Sequence, residues 1–135
     1  MSFDWEQFLQ FAANLSQSSI GPQEARERCI AGRAYYAAHW LARKFSEKIQ
    51  PPFKEKSKKS VHQHVINYFQ NHHNSNLLQI GIDLDRLRNI RVSADYKASQ
   101  VKNWTVKAQE ALRFGYNIAN SLKSMSSITK QMPLS

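Results

Sequence analysis

Apolar residues at Leu77, Ile80, Leu84 and Leu87 fall at alternating steps of three and four, the spacing of one face of an α-helix. The stripe runs on past Leu87 into LDRLRNIRVSADY, so the stretch is expected to be a helix. The next two positions on the stripe are Arg91 and Ala94, and an arginine therefore stands where the pattern asks for an apolar side chain. Arg88, Arg91 and Asp95 are spaced i, i+3 and i+7, which brings them to one side of a continuous helix. A guanidinium beside a core stripe needs a partner, because a lone buried charge is strongly unfavourable. Asp95 is the nearest candidate. The pair is either a structural ion pair that fixes helix register or part of a site.

Helical spacing recurs along the chain. Asp4 is suited to cap a first helix whose apolar face is Trp5, Phe8, Leu9, Ala12 and Leu15. The segment Ser16–Pro22 ends it, with Pro22 in the first turn of the next helix. That second helix is expected from about Gln23 to Ile49. Its core stripe is Ile30, Ala34, Ala37, Leu41 and Phe45, and a second row holds Cys29, Arg33, Tyr36, Trp40 and Arg43. Two such rows make it the central helix, packed on more than one side. Pro51 and Pro52 stop it, and Phe53–Lys59 is a basic loop. Its Lys54, Lys56, Lys58 and Lys59 are either a solvated connector or a reach toward a phosphate backbone.

Ser60 opens a shorter helix with Val61, Val65, Tyr68 and Phe69 inward, and a turn near His72–Ser75 leads into the Leu77–Tyr96 helix. After a polar connection the last helix runs from about Val101 to Met125 on Val101, Trp104, Ala108, Leu112, Gly115, Ile118 and Leu122. With only four glycines and four prolines, and no strand-like alternation with hairpin turns, the expected fold is all-α. The architecture is an antiparallel up-and-down four-helix bundle with an additional short helix. One domain covers residues 1–125, and residues 126–135 are expected to form a flexible tail.

The charge is more telling than the size. Nineteen basic residues against ten acidic ones leave a net charge of +9, which favours a polyanionic partner such as RNA, DNA or an acidic protein. No apolar run approaches a membrane span, and an acid near the N-terminus stands where a signal peptide would be basic. The single cysteine, Cys29, leaves no internal disulfide, fits a reducing cytoplasm and reads as a core residue. His62, His64, His72 and His73 form no i,i+4 pair with ligand-type neighbours, so neither a metal nor another cofactor is expected. Arg33 and His39 are six residues apart, which turns their side chains about 120° from each other on a helix. They are secondary site candidates, able to meet groups from other helices.

Three segments together resemble the HEPN domain family. Gly32–Phe45, GRAYYAAHWLARKF, is similar to the "SRxYYAAFH" signature of that family's second helix. In SVHQHVINYF, His62, Val65 and Phe69 match an "H..V...F" segment, and RNIRVSADY resembles the "LRxxADY" motif of the fourth helix in one branch. The resemblance spans roughly Trp5 to Leu122. It implies a dimerising helical bundle in a prokaryotic toxin–antitoxin or defence system, often beside a small nucleotidyltransferase. Active members are metal-independent endoribonucleases in which an arginine stabilises phosphate charge and a histidine moves protons. Carried over, Arg88 or Arg91 matches the arginine, Asn89 the polar residue after it, and Tyr96 the tyrosine near the motif's end. Where the family's histidine would fall, this chain has Ser93, Ala94 and Asp95. A carboxylate is a weak base near neutral pH, so Asp95 is cast as the group that orients Arg91. Catalysis must then borrow His39 or His62, or act by electrostatics alone.

Three functions follow as expectations. One is a homodimeric, cytoplasmic HEPN ribonuclease acting on RNA, with Arg88, Arg91, Asp95 and Tyr96 as its site and an antitoxin or nucleotidyltransferase as partner. A second is a non-catalytic module that uses the same Arg/Asp/Tyr set to bind RNA, a nucleotide or a partner protein. The third is a plain dimerisation bundle.

Overall fold

A computed structural model describes residues 3–48, 60–98 and 103–129, with side chains up to residue 126. Five helices account for nearly all of them: α1 (Glu6–Ser16), α2 (Gln23–Glu47), α3 (Val61–Gln70), α4 (Ser75–Tyr96) and α5 (Trp104–Thr129). Among the described residues there is no strand. Helices α1, α2, α4 and α5 make an antiparallel up-and-down bundle, and the short α3 packs on α4 and reaches α2. None of the described helices is long and apolar enough to cross a membrane.

The central position of α2 comes from small side chains. Ala31, Ala34, Ala37, Ala38 and Ala42 are all fully buried, and each lets a neighbouring helix approach closely. As a result α2 touches all four other helices. Leu41, expected in its core stripe, is only half-buried; Ala38 and Ala42 take the inner positions instead. Cys29 departs further from expectation. It is exposed in the wall of an open cleft, whereas Trp5 stacks flat on Trp40 at 4.9 Å further along the same row.

Helix ends follow local chemistry. Asp4 Oδ1 accepts the Glu6 amide at 3.0 Å, although the cap position itself falls one residue later, on Trp5. The turn into α2 needs Gly21 at φ +70°, a left-handed conformation that costs a side-chain-bearing residue more. Asn74 Oδ1 accepts the amides of Asn76 at 2.9 Å and Leu77 at 3.2 Å, which starts α4 two residues ahead of its apolar stripe. At the other end of the chain α5 continues past Met125 to Thr129, so the expected tail is helical in its first four residues; residues 130–135 and Val101 lie outside the described residues.

The stripe on α4 also differs from expectation. Leu77, Ile80, Leu84 and Leu87 are buried, but the core then continues through Ile90 and Ala94. Arg91 sits on the flank, its side chain 15 % exposed. Helix α4 is packed by α2, α3 and α5, so its buried face is wider than one row and Ile90, three residues after Leu87, fills it. Gly81 permits the close approach of α3: a Cβ there would lie 2.8 Å from the Gln70 backbone nitrogen and 3.0 Å from Phe69 Cβ. That contact fixes how far α3 stands from α4.

Candidate functional site

Three helices bring their polar residues to one place. Helix α2 contributes Tyr35, Tyr36 and His39 from successive turns, with Tyr35 and His39 on its buried side. Ser60 caps α3 by accepting the Gln63 amide at 3.2 Å, which sets His62 in the first turn and beside α2. Helix α4 contributes Arg88 and Arg91 one turn apart. The packing of α2 on α4 brings Tyr35 and Tyr36 to Arg91, and the packing of α3 on both adds His62.

The rings form a stack. His39 and His62 have centroids 4.4 Å apart, Tyr35 lies 5.6 Å from His62 and 5.8 Å from His39, and the Tyr35 hydroxyl shares a hydrogen bond with His62 Nδ1. His39 is 3 % exposed, and its Nδ1 is buried with no hydrogen-bond partner. Burial, then His62 and the cations Arg43, Arg88 and Arg91, hold its pKa down to about 3. His62 is half-buried, and burial followed by Arg88, Arg91 and Arg43 lowers its pKa also. Both imidazoles are therefore neutral at pH 7. Tyr35 is pushed well above the usual phenol range, chiefly by burial and against the pull of the two arginines, so it keeps its proton.

The arginines are held rather than loose. Arg91 Nη2 donates to the Tyr36 hydroxyl at 2.6 Å, and Nε lies 2.8 Å from Asp95 Oδ2. The Nε–H does not aim at that oxygen, so the second contact is an ion pair without a well-directed hydrogen bond. The same guanidinium lies over the rings of Tyr36 at 5.1 Å and of Tyr35 and Tyr96 at 5.8 Å. Arg88 reaches the other way, donating through Nη1 to Gln63 Oε1 at 3.1 Å and through Nη2 to Ser60 Oγ at 3.5 Å. A phosphate approaching this face would meet two guanidiniums with a neutral imidazole between α2 and α4.

The residues singled out from the sequence are distributed unevenly. Arg88, Arg91, His39 and His62 lie within this cluster, with Asp95 and the largely exposed Tyr96 at its edge. Arg33 is outside it: its guanidinium rests on the Phe8 ring at 5.3 Å, and it faces an open cleft of about 430 Å³ lined also by Arg28, Gly32, Tyr36 and Asp95. Asn89 is exposed and lines a different depression, with Arg86 and Lys107. Lys54, Lys56, Lys58 and Lys59 lie outside the described residues. Tyr35 and Gln63 were not singled out. The signal for Tyr35 was its position four residues before His39, on the buried side; Gln63 carries none, because its role depends on where α3 docks.

Among the described residues no three His, Cys, Asp or Glu side chains converge as metal ligands would. Comparison of the chain with family models, with curated proteins and with solved structures finds no match.

Proposed function

We propose that the chain is a HEPN-type, metal-independent endoribonuclease in which His62 carries the proton and Arg88 and Arg91 hold the scissile phosphate. The supporting observation is the contact between Tyr35 and His62 Nδ1 beside two arginines. It supplies a histidine to a motif that lacks one at the usual position. When the Tyr35 oxygen accepts the Nδ1–H, His62 Nε2 keeps a free lone pair for the proton of an RNA 2′-hydroxyl. The 2′-oxygen then attacks the adjacent phosphorus, the P–O5′ bond breaks, and the leaving O5′ takes up, directly or through water, the proton that His62 removed. The products are a 2′,3′-cyclic phosphate and a 5′-hydroxyl. Charge developing on the phosphoryl oxygens is met by Arg88 and Arg91. His39, buried behind His62, positions that ring and does not reach substrate.

The resemblance that suggests this chemistry also suggests its setting: a homodimer in a toxin–antitoxin or defence system, with an antitoxin or nucleotidyltransferase as partner. Light scattering of the purified protein tests the dimer. A second reading, a phosphate-binding module without catalysis, is favoured by one observation: Arg91 is already engaged by Tyr36 and Asp95, and Arg88 by Gln63.

RNA degradation in the presence of EDTA separates the two. The expected result is cleavage by the wild type, with losses of roughly 10²-fold or more in His62→Ala and Arg91→Ala. No cleavage by wild-type protein, together with RNA binding that weakens steeply with salt, would select the binding module.

A further inference from the structure

The cleft that Arg33 faces is continuous with the basic cluster. Tyr36 and Asp95 stand in its wall, and both hold the Arg91 guanidinium from that side. Its floor is open at Gly32, where a Cβ would meet no heavy atom within 4 Å. Two cations, Arg28 and Arg33, line it. Arg28 is committed to backbone carbonyls at the end of α4, while Arg33 has no acidic partner among the described residues.

We infer that this cleft is a nucleotide subsite, which takes the nucleotide adjoining the phosphodiester held at Arg88 and Arg91 and makes single-stranded RNA the substrate class. The inference rests on the RNA reading of the cluster. A cleft of about 430 Å³ has the size of a small-ligand site. The groups in it suit one nucleotide: Arg33 for a backbone phosphate, the Tyr36 ring for a stacked base, and the Asp95 oxygen that Arg91 does not pair with to accept an N–H from a base edge. In an A-form duplex the bases stay paired and stacked on their neighbours, so a base can be splayed into this cleft only from an unpaired strand.

Cys29 provides the reporter. It is the chain's only cysteine, it is exposed, and it lines the same cleft. The probe is a short single-stranded RNA with every 2′-hydroxyl methylated, which a 2′-oxygen mechanism cannot cleave. Its saturating addition to the full chain is expected to slow alkylation of Cys29 by N-ethylmaleimide several-fold, and the same sequence as a duplex is expected to leave the rate unchanged. Gly32→Leu fills the cleft from an unobstructed Cβ and is expected to weaken binding of the single strand roughly tenfold or more, the loss of one stacked base. Arg33→Gln, at an exposed position, is expected to weaken it and to lower the salt dependence by about one counterion. Binding that leaves the Cys29 rate unchanged, an absence of single-strand binding, or equal protection by the duplex would overturn the subsite. Protection without cleavage of unmodified RNA would keep the subsite and discard the ribonuclease; cleavage without protection would do the reverse.

Discussion

The rings of His39 and His62 face each other at 4.4 Å across the α2–α3 contact, inclined by 33°, and both are held neutral. For His39 this is a stability statement. Its folded pKa is about 3 against an ordinary 6.5, so below pH 6.5 the unfolded chain binds a proton that the folded chain refuses. The contribution is fully present above pH 6.5 and is lost as pH falls toward 3. His39→Phe keeps a ring in the stack and removes a buried Nδ1 that has no partner. Its expected effect is a flatter acid limb in urea denaturation, by up to about 1.4 kcal/mol per pH unit between pH 6 and 4. Identical slopes for the two proteins would show that His39 protonates freely in the folded state.

His62 offers a direct reading of the arginines. Burial is the larger cause of its lowered pKa, with Arg88 the first of the charges. Arg88→Met removes that charge and should move the NMR titration midpoint of the His62 ring upward, toward 6.5. Arg86→Met, on the exposed side of α4, should leave it in place. If the two variants titrate alike, Arg88 does not act on the imidazole.

Two glycines should respond oppositely to the same change. At Gly81 an added Cβ meets the Gln70 backbone nitrogen at 2.8 Å, and backbone cannot swing aside as a side-chain tip can. Gly81→Ala should therefore cost about 1–3 kcal/mol and push α3, with His62, away from Arg88. Gly32→Ala meets nothing and removes a glycine from the interior of a helix, so it should gain roughly 0.5–1 kcal/mol. Thermal or urea denaturation reads both. Equal effects would mean that the α3–α4 contact is looser than described.

The fold was legible because it is written in short-range periodicity. The stripe Leu77, Ile80, Leu84 and Leu87 and, on α2, Ile30, Ala34, Ala37 and Phe45 need only a count of three and four. Arg91 was misread as part of the stripe because a row seen in isolation cannot show that three helices surround α4 and draw Ile90 inward. The site was half legible. Arg88, Arg91 and Asp95 share one helix, so their proximity follows from its pitch. The meeting of His62 with Tyr35 and His39 depends on the docking of α3, which turns on Gly81, and no local pattern marks that glycine as a contact. Cys29 failed for a related reason: its row is apolar enough to be core, and whether a helix covers it is a tertiary fact.

Arg28 shows how the far end of the site is held. From α2, its Nη1 donates to the carbonyls of Ala94 at 3.0 Å and Lys97 at 2.8 Å, and its Nη2 to that of Ala98 at 3.3 Å, while the guanidinium lies 4.5 Å above the Trp104 ring of α5. Carbonyls at the end of a helix lack intrahelical partners and carry partial negative charge, so a half-buried cation there both caps and neutralises. The capped turn carries Asp95 and Tyr96, the residues that flank Arg91. Arg28→Met should cost about 1–2 kcal/mol, below the range for buried charged hydrogen bonds because water can reach the carbonyls of Lys97 and Ala98. Arg28→Lys keeps the charge but loses the planar fork, and should recover part of that loss. Amide exchange supplies the second reading: protection of the Lys97 amide, which donates to Ser93 O at 3.1 Å, should fall in Arg28→Met well before that of Leu84. If the Lys97 amide exchanges at the wild-type rate, the turn is held by its own helix, and Arg91 owes its setting to Asp95 and Tyr36 alone.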